Sequence, residues 1–233
     1  MKVRPGGLER RKFLPTAPPK VSAMTTFEHA MLGVNGALAS GLTRRFGWRL
    51  AAMAGVVAAS ADWDGLAIVF STATFAEGHR VWGHNLLVAS LLGVLLAAAD
   101  YRFDFCCRGG RLVQKLFRVQ GPVETPRLPD ERRPLGYAVW IAVGAAASLS
   151  HLAADLVVSG TRTLPDWRLQ LLWPFSDRDW VFPLIRWGDV GVTVIFAAGM
   201  FALAARPKYL QAVAALTLTT VVIYLGARGF LRG

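Results

Sequence analysis

At 233 residues, with 54 % hydrophobic and 18 % charged side chains and a mean hydropathy of +0.39, the chain is too apolar for an ordinary water-soluble domain. Its formal charge of +11 lies in loops between uncharged runs. That is the pattern of a membrane protein against anionic lipid, and without interleaved aromatic residues it argues against nucleic acid as a partner.

Residues 1–23 are basic, carry Pro5, Pro15, Pro18 and Pro19, and lack the apolar stretch of a signal peptide. They read as a disordered segment ahead of a single transmembrane domain over 24–233, with Met24 as an alternative start. Thr25 or Thr26 is placed to cap the first helix, with Glu28 in its first turn. Uncharged runs at Ala30–Thr43, Leu50–Ala61, Gly65–Ala76, Asn85–Ala99, Leu135–Ala154, Val190–Ala205 and Tyr209–Ala227 predict about six helices. A spanning helix needs about 20 apolar residues. The runs at 135–154 and 209–227 meet that alone, and those at 85–99 and 190–205 meet it once flanking residues snorkel. The first two are short and rich in Gly and Ala, as expected of closely packed spans or half-helices. The expected fold is all-α, a polytopic transmembrane bundle with some short or half-length helices.

Residues 100–134 read as a basic loop with a short surface helix around Arg111–Val119. Cys106 and Cys107 within it are adjacent, lack the CxxC spacing of a zinc knot and read as free thiols. Residues 159–187 read as an interfacial connection, with Trp167, Trp173, Trp180 and Trp187 as the amphipathic rings expected at a membrane surface.

Threading alternate runs through a bilayer gives a specific result. His29 begins the first helix, Asp62 and Asp64 end the second, His79 and His84 precede the third, and His151 and Asp155 end the fourth. All four histidines and three acids therefore meet at one membrane face. Lys and Arg divide evenly between the two faces; leaving out residues 1–23 tips the excess to the other face, so that the histidine face points outward.

Each residue alone has a bland reading: His29 as an interface residue, Asp62 and Asp64 as a helix-end turn, His79 as loop, and His151 with Asp155 as a buried polar pair. Together they predict a metal site. Imidazole and carboxylate donors without cysteine suit a divalent transition metal such as Zn or Mn. His29, Asp62, His79, His84, His151 and Asp155 are the candidate ligands for one or two ions. Asp64 is a candidate catalytic group and Arg80 a group to neutralise a developing anion.

The order Ser60-Ala61-Asp62-Trp63-Asp64, His79-Arg80-Val81-Trp82-Gly83-His84-Asn85, Ser150-His151-Leu152-Ala153-Ala154-Asp155 and Leu172-Trp173-Pro174-Phe175-Ser176-Asp177 resembles the membrane-bound metal-dependent hydrolases. These are also described as LexA-binding, inner-membrane-associated hydrolases. The first element lacks the family's proline and the second its Gly, Thr and Ser, which touches hydrogen bonding and substrate fit but removes no ligand. The resemblance implies a bacterial inner-membrane location and hydrolysis by a metal-activated water. An interfacial site further implies a lipid-linked or amphiphilic ester or phosphoester. The rival expectation is a transporter, or a partner-binding scaffold with a structural metal.

Overall fold

The structure, a computed structural model, describes residues 25–71, 81–117, 134–159, 168–182, 184–185 and 189–232. The basic segment 1–23, His79, Arg80, Trp167 and Trp187 lie outside the described residues.

Thr25 starts the first helix, α1 (Thr26–Ala39), by a reciprocal cap. Its side chain accepts from the Glu28 N–H, and the Glu28 carboxylate accepts from the Thr25 N–H at 2.7 Å. Glu28 is buried and also accepts from the Thr193 hydroxyl, tying α1 to a helix far along the chain. Gly41 at φ +75° and Gly47 at φ +84° turn the chain through the short α2 (Thr43–Phe46) into α3 (Arg49–Ala59). Both glycines occupy the left-handed region that costs other residues energy.

α1 and α3 pack antiparallel, Gly33 against Ala54 and Gly55 against Ala30 and Val34. A Cβ on Gly33 would sit 2.3 Å from the Ala54 carbonyl oxygen, so only glycine permits this approach. At 14 and 11 residues the two helices measure about 21 and 16 Å, short of the roughly 30 Å hydrocarbon thickness. They are the half-length members of the bundle.

Ser60–Val69 continues as 3-10 turns. Asn85 then caps α4 (Leu86–Phe103), its Oδ1 accepting from the Val88 N–H at 2.8 Å. α4 stops at Asp104, which stands at φ +56°. There follow α5 (Phe105–Phe117), α6 (Pro134–Val157), α7 (Val190–Ala205) and, after a 3-10 turn, α8 (Leu210–Arg232). Leu86–Phe103, Pro134–Val157 and Pro207–Leu231 are long and apolar enough to cross a membrane, while Val190–Ala205 is shorter.

The stretch expected as a basic loop over 100–134 thus carries the end of α4 and the whole of α5, with 118–133 outside the described residues. Gly109-Gly110 disguises the helix, but its 3.6-residue period is clear. Phe105, Leu112 and Leu116 share one strip of the helix, and Arg108, Arg111 and Lys115 the strip beside it.

α4 and α6 meet along a seam of small residues. A Cβ on Gly144 would lie 2.5 Å from Ala97 Cβ and 2.7 Å from the Gly93 carbonyl oxygen, and membrane helices rely on such close approach for their association. Gly144→Leu is therefore expected to destabilise the bundle toward the upper end of the about 1–3 kcal/mol of overpacked cores. A lowered thermal midpoint in detergent is the measurement, and an unchanged midpoint would mean the seam is not close-packed.

At the end of the bundle where α1 turns into α3, polar groups cross-link the helices. Buried Arg49 pairs with Asp104, donates to Cys107 Sγ at 3.1 Å and stacks 5.8 Å from the Trp140 ring centroid. Buried Asp100 accepts from the Cys106 N–H at 2.9 Å and from Trp140 Nε1 at 3.1 Å. Both cysteines are free. Burial, reinforced by Asp100, pushes the Cys106 thiol well above its usual range, so it remains protonated.

Candidate metal centre

The opposite end of the bundle is built from four stretches of chain. His29 lies in the second turn of α1, Asp62 and Asp64 in the 3-10 segment, His84 just ahead of α4, and His151 and Asp155 one turn apart near the end of α6. Their convergence follows from antiparallel packing: α1 and α4 begin at this end, while α3 and α6 finish here. The rings of His29, His84 and His151 are fully buried, as are the carboxylates of Asp64 and Asp155, while Asp62 is 22 % exposed.

The hydrogen-bond partners decide which ring nitrogens carry protons. His151 Nδ1 lies 2.7 Å from the Ala58 carbonyl oxygen. A carbonyl can only accept, so Nδ1 carries the hydrogen and Nε2 presents a lone pair. His84 Nδ1 lies 2.9 Å from Asp64 Oδ2, which also accepts from the Gly83 N–H at 2.9 Å. The same reasoning leaves a lone pair on His84 Nε2 in its neutral ring. Those two Nε2 atoms stand 3.0 Å apart.

Around them, Asp155 Oδ2 is 3.2 Å from His84 Nε2 and 3.4 Å from His151 Nε2, and Asp62 Oδ1 is 3.5 Å from each. His29 stacks on His151 with centroids 3.6 Å apart. Its Nε2 is 3.4 Å from Asp155 Oδ1, and neither of its ring nitrogens has a hydrogen-bond partner among the described residues. A buried polar atom without a partner costs about 1–3 kcal/mol. Imidazole nitrogens and carboxylate oxygens gathered this closely make a donor set of the kind that can hold a cation.

In the absence of metal a proton can serve. Burial disfavours a charged His84, but the carboxylates of Asp155, Asp62 and Asp64 outweigh it and raise this imidazole well above its ordinary pKa. Burial likewise pushes Asp62 up, yet His84, His151 and His29 hold its carboxyl below the usual value. A metal held here would have to replace the His84 proton, because only the neutral imidazole is a ligand. Two overlapping triads have donor atoms within 4.8 Å of one another, His29–Asp62–His151 and His84–His151–Asp155. The donor chemistry fits Zn or Mn.

Asp64 sits behind His84, on its back nitrogen and out of reach of the common point, as an orienting carboxylate does. Asp64→Ala is expected to weaken metal affinity about 10–100-fold, with Asp64→Asn, which keeps an acceptor, in between. Competition with a calibrated chelator measures this, and equal affinities in all three proteins would show that Asp64 does not position His84.

Three partners escaped the reading of the sequence. The Ala58 carbonyl has no side-chain signature. Thr26 donates from Oγ1 to Asp62 Oδ2 at 3.2 Å, indistinguishable in sequence from a cap. Gly83 brings its N–H onto Asp64, and a Cβ there would lie 2.2 Å from the Ala61 carbonyl oxygen. Its signal was its place directly before His84.

The Leu172–Asp177 stretch lies against this end. The Leu86 N–H donates to the Leu171 carbonyl at 3.0 Å, and Leu169 and Trp180 exchange antiparallel hydrogen bonds of 2.9 and 2.8 Å. Leu169 is buried against Ala89 of α4 and Leu152 of α6, so the connection bridges the helices that carry His84 and His151.

No curated protein and no solved structure matches the chain. Residues 24–232 match the model of the YdjM inner membrane protein family. With an almost wholly helical fold and three helices fit to cross a bilayer among the described residues, the chain belongs to that family and is an integral protein of the inner membrane.

Proposed function

We propose that this protein is a membrane-embedded, metal-dependent hydrolase whose centre is the cluster of His29, Asp62, His84, His151 and Asp155. The observation that carries the reading is the approach of two imidazole Nε2 atoms to 3.0 Å, with Asp155 Oδ2 within 3.4 Å and Asp62 Oδ1 within 3.5 Å of both. A divalent transition metal held there supplies a Lewis acid that acidifies water and polarises an ester or phosphoryl oxygen.

The chain's own residues have distinct tasks. Asp64 and the Ala58 carbonyl fix the tautomers of His84 and His151. Asp62, the one partly exposed acid of the cluster, marks the side from which water and substrate approach. It is also the acid best placed to take a proton from water. Arg80 keeps, from sequence alone, the role of an anion-binding group. A centre at the end of an apolar bundle favours a lipid-linked or amphiphilic substrate.

A transporter needs ionisable groups along a path through the hydrocarbon. Among the described residues of the helical core the acids gather at the two ends of the bundle, and α6 carries no charged side chain between Pro134 and His151. That favours hydrolysis over transport.

Elemental mass spectrometry of the purified protein is expected to find one or two Zn or Mn ions per chain. Hydrolysis of a p-nitrophenyl alkyl phosphodiester or ester should be lost on chelation and restored by metal. Protein free of transition metal, with no chelator-sensitive hydrolysis of either substrate, would sink the reading.

A further inference from the structure

Between α1, α3 and α6 the bundle leaves a groove of about 410 Å³, lined by Leu32, Gly36, Ala54, Ala142, Ala146 and Ser150 among others. That volume lies within the about 300–1,000 Å³ of small-molecule sites. Among the described residues the polar side chains of the groove spend their protons locally: the Ser40 and Ser150 hydroxyls donate to the Ala37 and Ala147 carbonyls at 2.7 Å each. Its floor reaches Ala54, which is 1 % exposed. Its rim, at Gly36, Ala142 and Ala146, is exposed, and a Cβ on Gly36 would meet nothing within 4 Å.

Two features identify the occupant. One end of the groove abuts the metal centre, because Leu32 is one helical turn from His29 and Ser150 directly precedes His151. The other end lies at Ser40 and Leu42, eight residues further along α1 from Leu32, or about 12 Å. A helix of a second copy, about 10 Å across with its side chains, is too thick to reach Ala54. A single hydrocarbon chain is thin enough, and it would enter sideways from the bilayer across the exposed rim.

We propose that the groove holds the hydrocarbon tail of an amphiphilic, single-tailed ester or phosphoester, with the head group delivered to the His84–His151 end. This deepens the hydrolase reading and rests on it for the identity of the head group. The small residues of α1 and α6 then serve as the walls of a tail slot, and the depth of the slot favours long-chain over short-chain substrates.

The test uses a hexadecyl phosphate carrying a diazirine near the tail end, photolysed with the full-length, metal-loaded protein in detergent and mapped by peptide mass spectrometry. Adducts are expected on α1 and α6 around residues 36–42 and 142–146. They should be competed by hexadecyl phosphate and not by methyl phosphate. Gly36→Leu and Ala146→Leu, which fill the groove from opposite walls, should each cut labelling about tenfold, equivalent to about 1.4 kcal/mol, with metal content unchanged. Adducts spread over lipid-facing α8, labelling undiminished in both variants, or cross-linking of two copies through this face would overturn the groove. Labelling is read without turnover. Its loss with metal retained therefore counts against the groove alone, and groove labelling in protein that binds no metal counts against the hydrolase reading alone.

Discussion

His151→Ala is expected to leave the protein folded and nearly devoid of transition metal. His151 is the residue common to both donor triads, so its loss breaks either arrangement. Its Nε2 contributes beside His84, Asp62 and Asp155, and its ring is the surface on which His29 stacks. Losing an orienting partner typically weakens a metal about 10–100-fold, and losing the shared ligand should exceed about 100-fold. Chelator-competition titration reads the affinity, and elemental analysis reads the retained metal. The fold should survive because α6 is held to α4 by the Gly93–Gly144 seam and by Trp140 at its far end, neither of which involves the centre. His151→Ala protein that keeps its full metal content would refute the centre as drawn.

The second large effect is expected at the other end. Arg49 is buried and its partner Asp104 only partly so. Removing one member of a buried pair strands the other and costs about 3–5 kcal/mol. With Asp104 at 30 % exposure, solvent screening puts Asp104→Ala near the lower end, about 3 kcal/mol. Replacing both, as Arg49→Met with Asp104→Ala, should recover part of the loss because the two charges of the pair leave together, while Asp100 keeps its bonds from the Cys106 N–H and Trp140 Nε1. The comparison is a double-mutant cycle of thermal or denaturant unfolding in detergent, with metal affinity as a control that should not move. Additive losses would show that the pair is not coupled.

The gathering of polar residues at one end was legible because it depends on parity. In a chain that crosses back and forth, residues at alternate helix ends share a face whatever the packing details. His29, Asp62, Asp64, His84, His151 and Asp155 meet for that reason, and the capping role of Thr25 with Glu28 was legible from local chemistry. What each acid does was not legible. Asp62 and Asp64 are two residues apart, and only the 3-10 geometry of Ser60–Val69 turns one toward the common point and the other behind His84. Backbone groups such as the Ala58 carbonyl leave no trace in residue identity. α5 was half hidden because paired glycines look like a loop when tertiary support is unknown. The short runs at the start admitted both closely packed spans and half-helices, and at 14 and 11 residues the two helices are short and closely packed at once.

That shortness has a consequence for the membrane itself. α1, at about 21 Å, falls some 9 Å below the roughly 30 Å of a typical hydrocarbon layer, whereas α6, at 24 residues, reaches about 36 Å. The helices of the bundle are therefore unequal, some matched to the bilayer and some shorter than it, and such a mismatch costs a fraction of a kcal/mol for each Å. The stability of the protein is expected to depend on the acyl-chain length of the lipids around it, read as the thermal midpoint in bilayers of graded thickness.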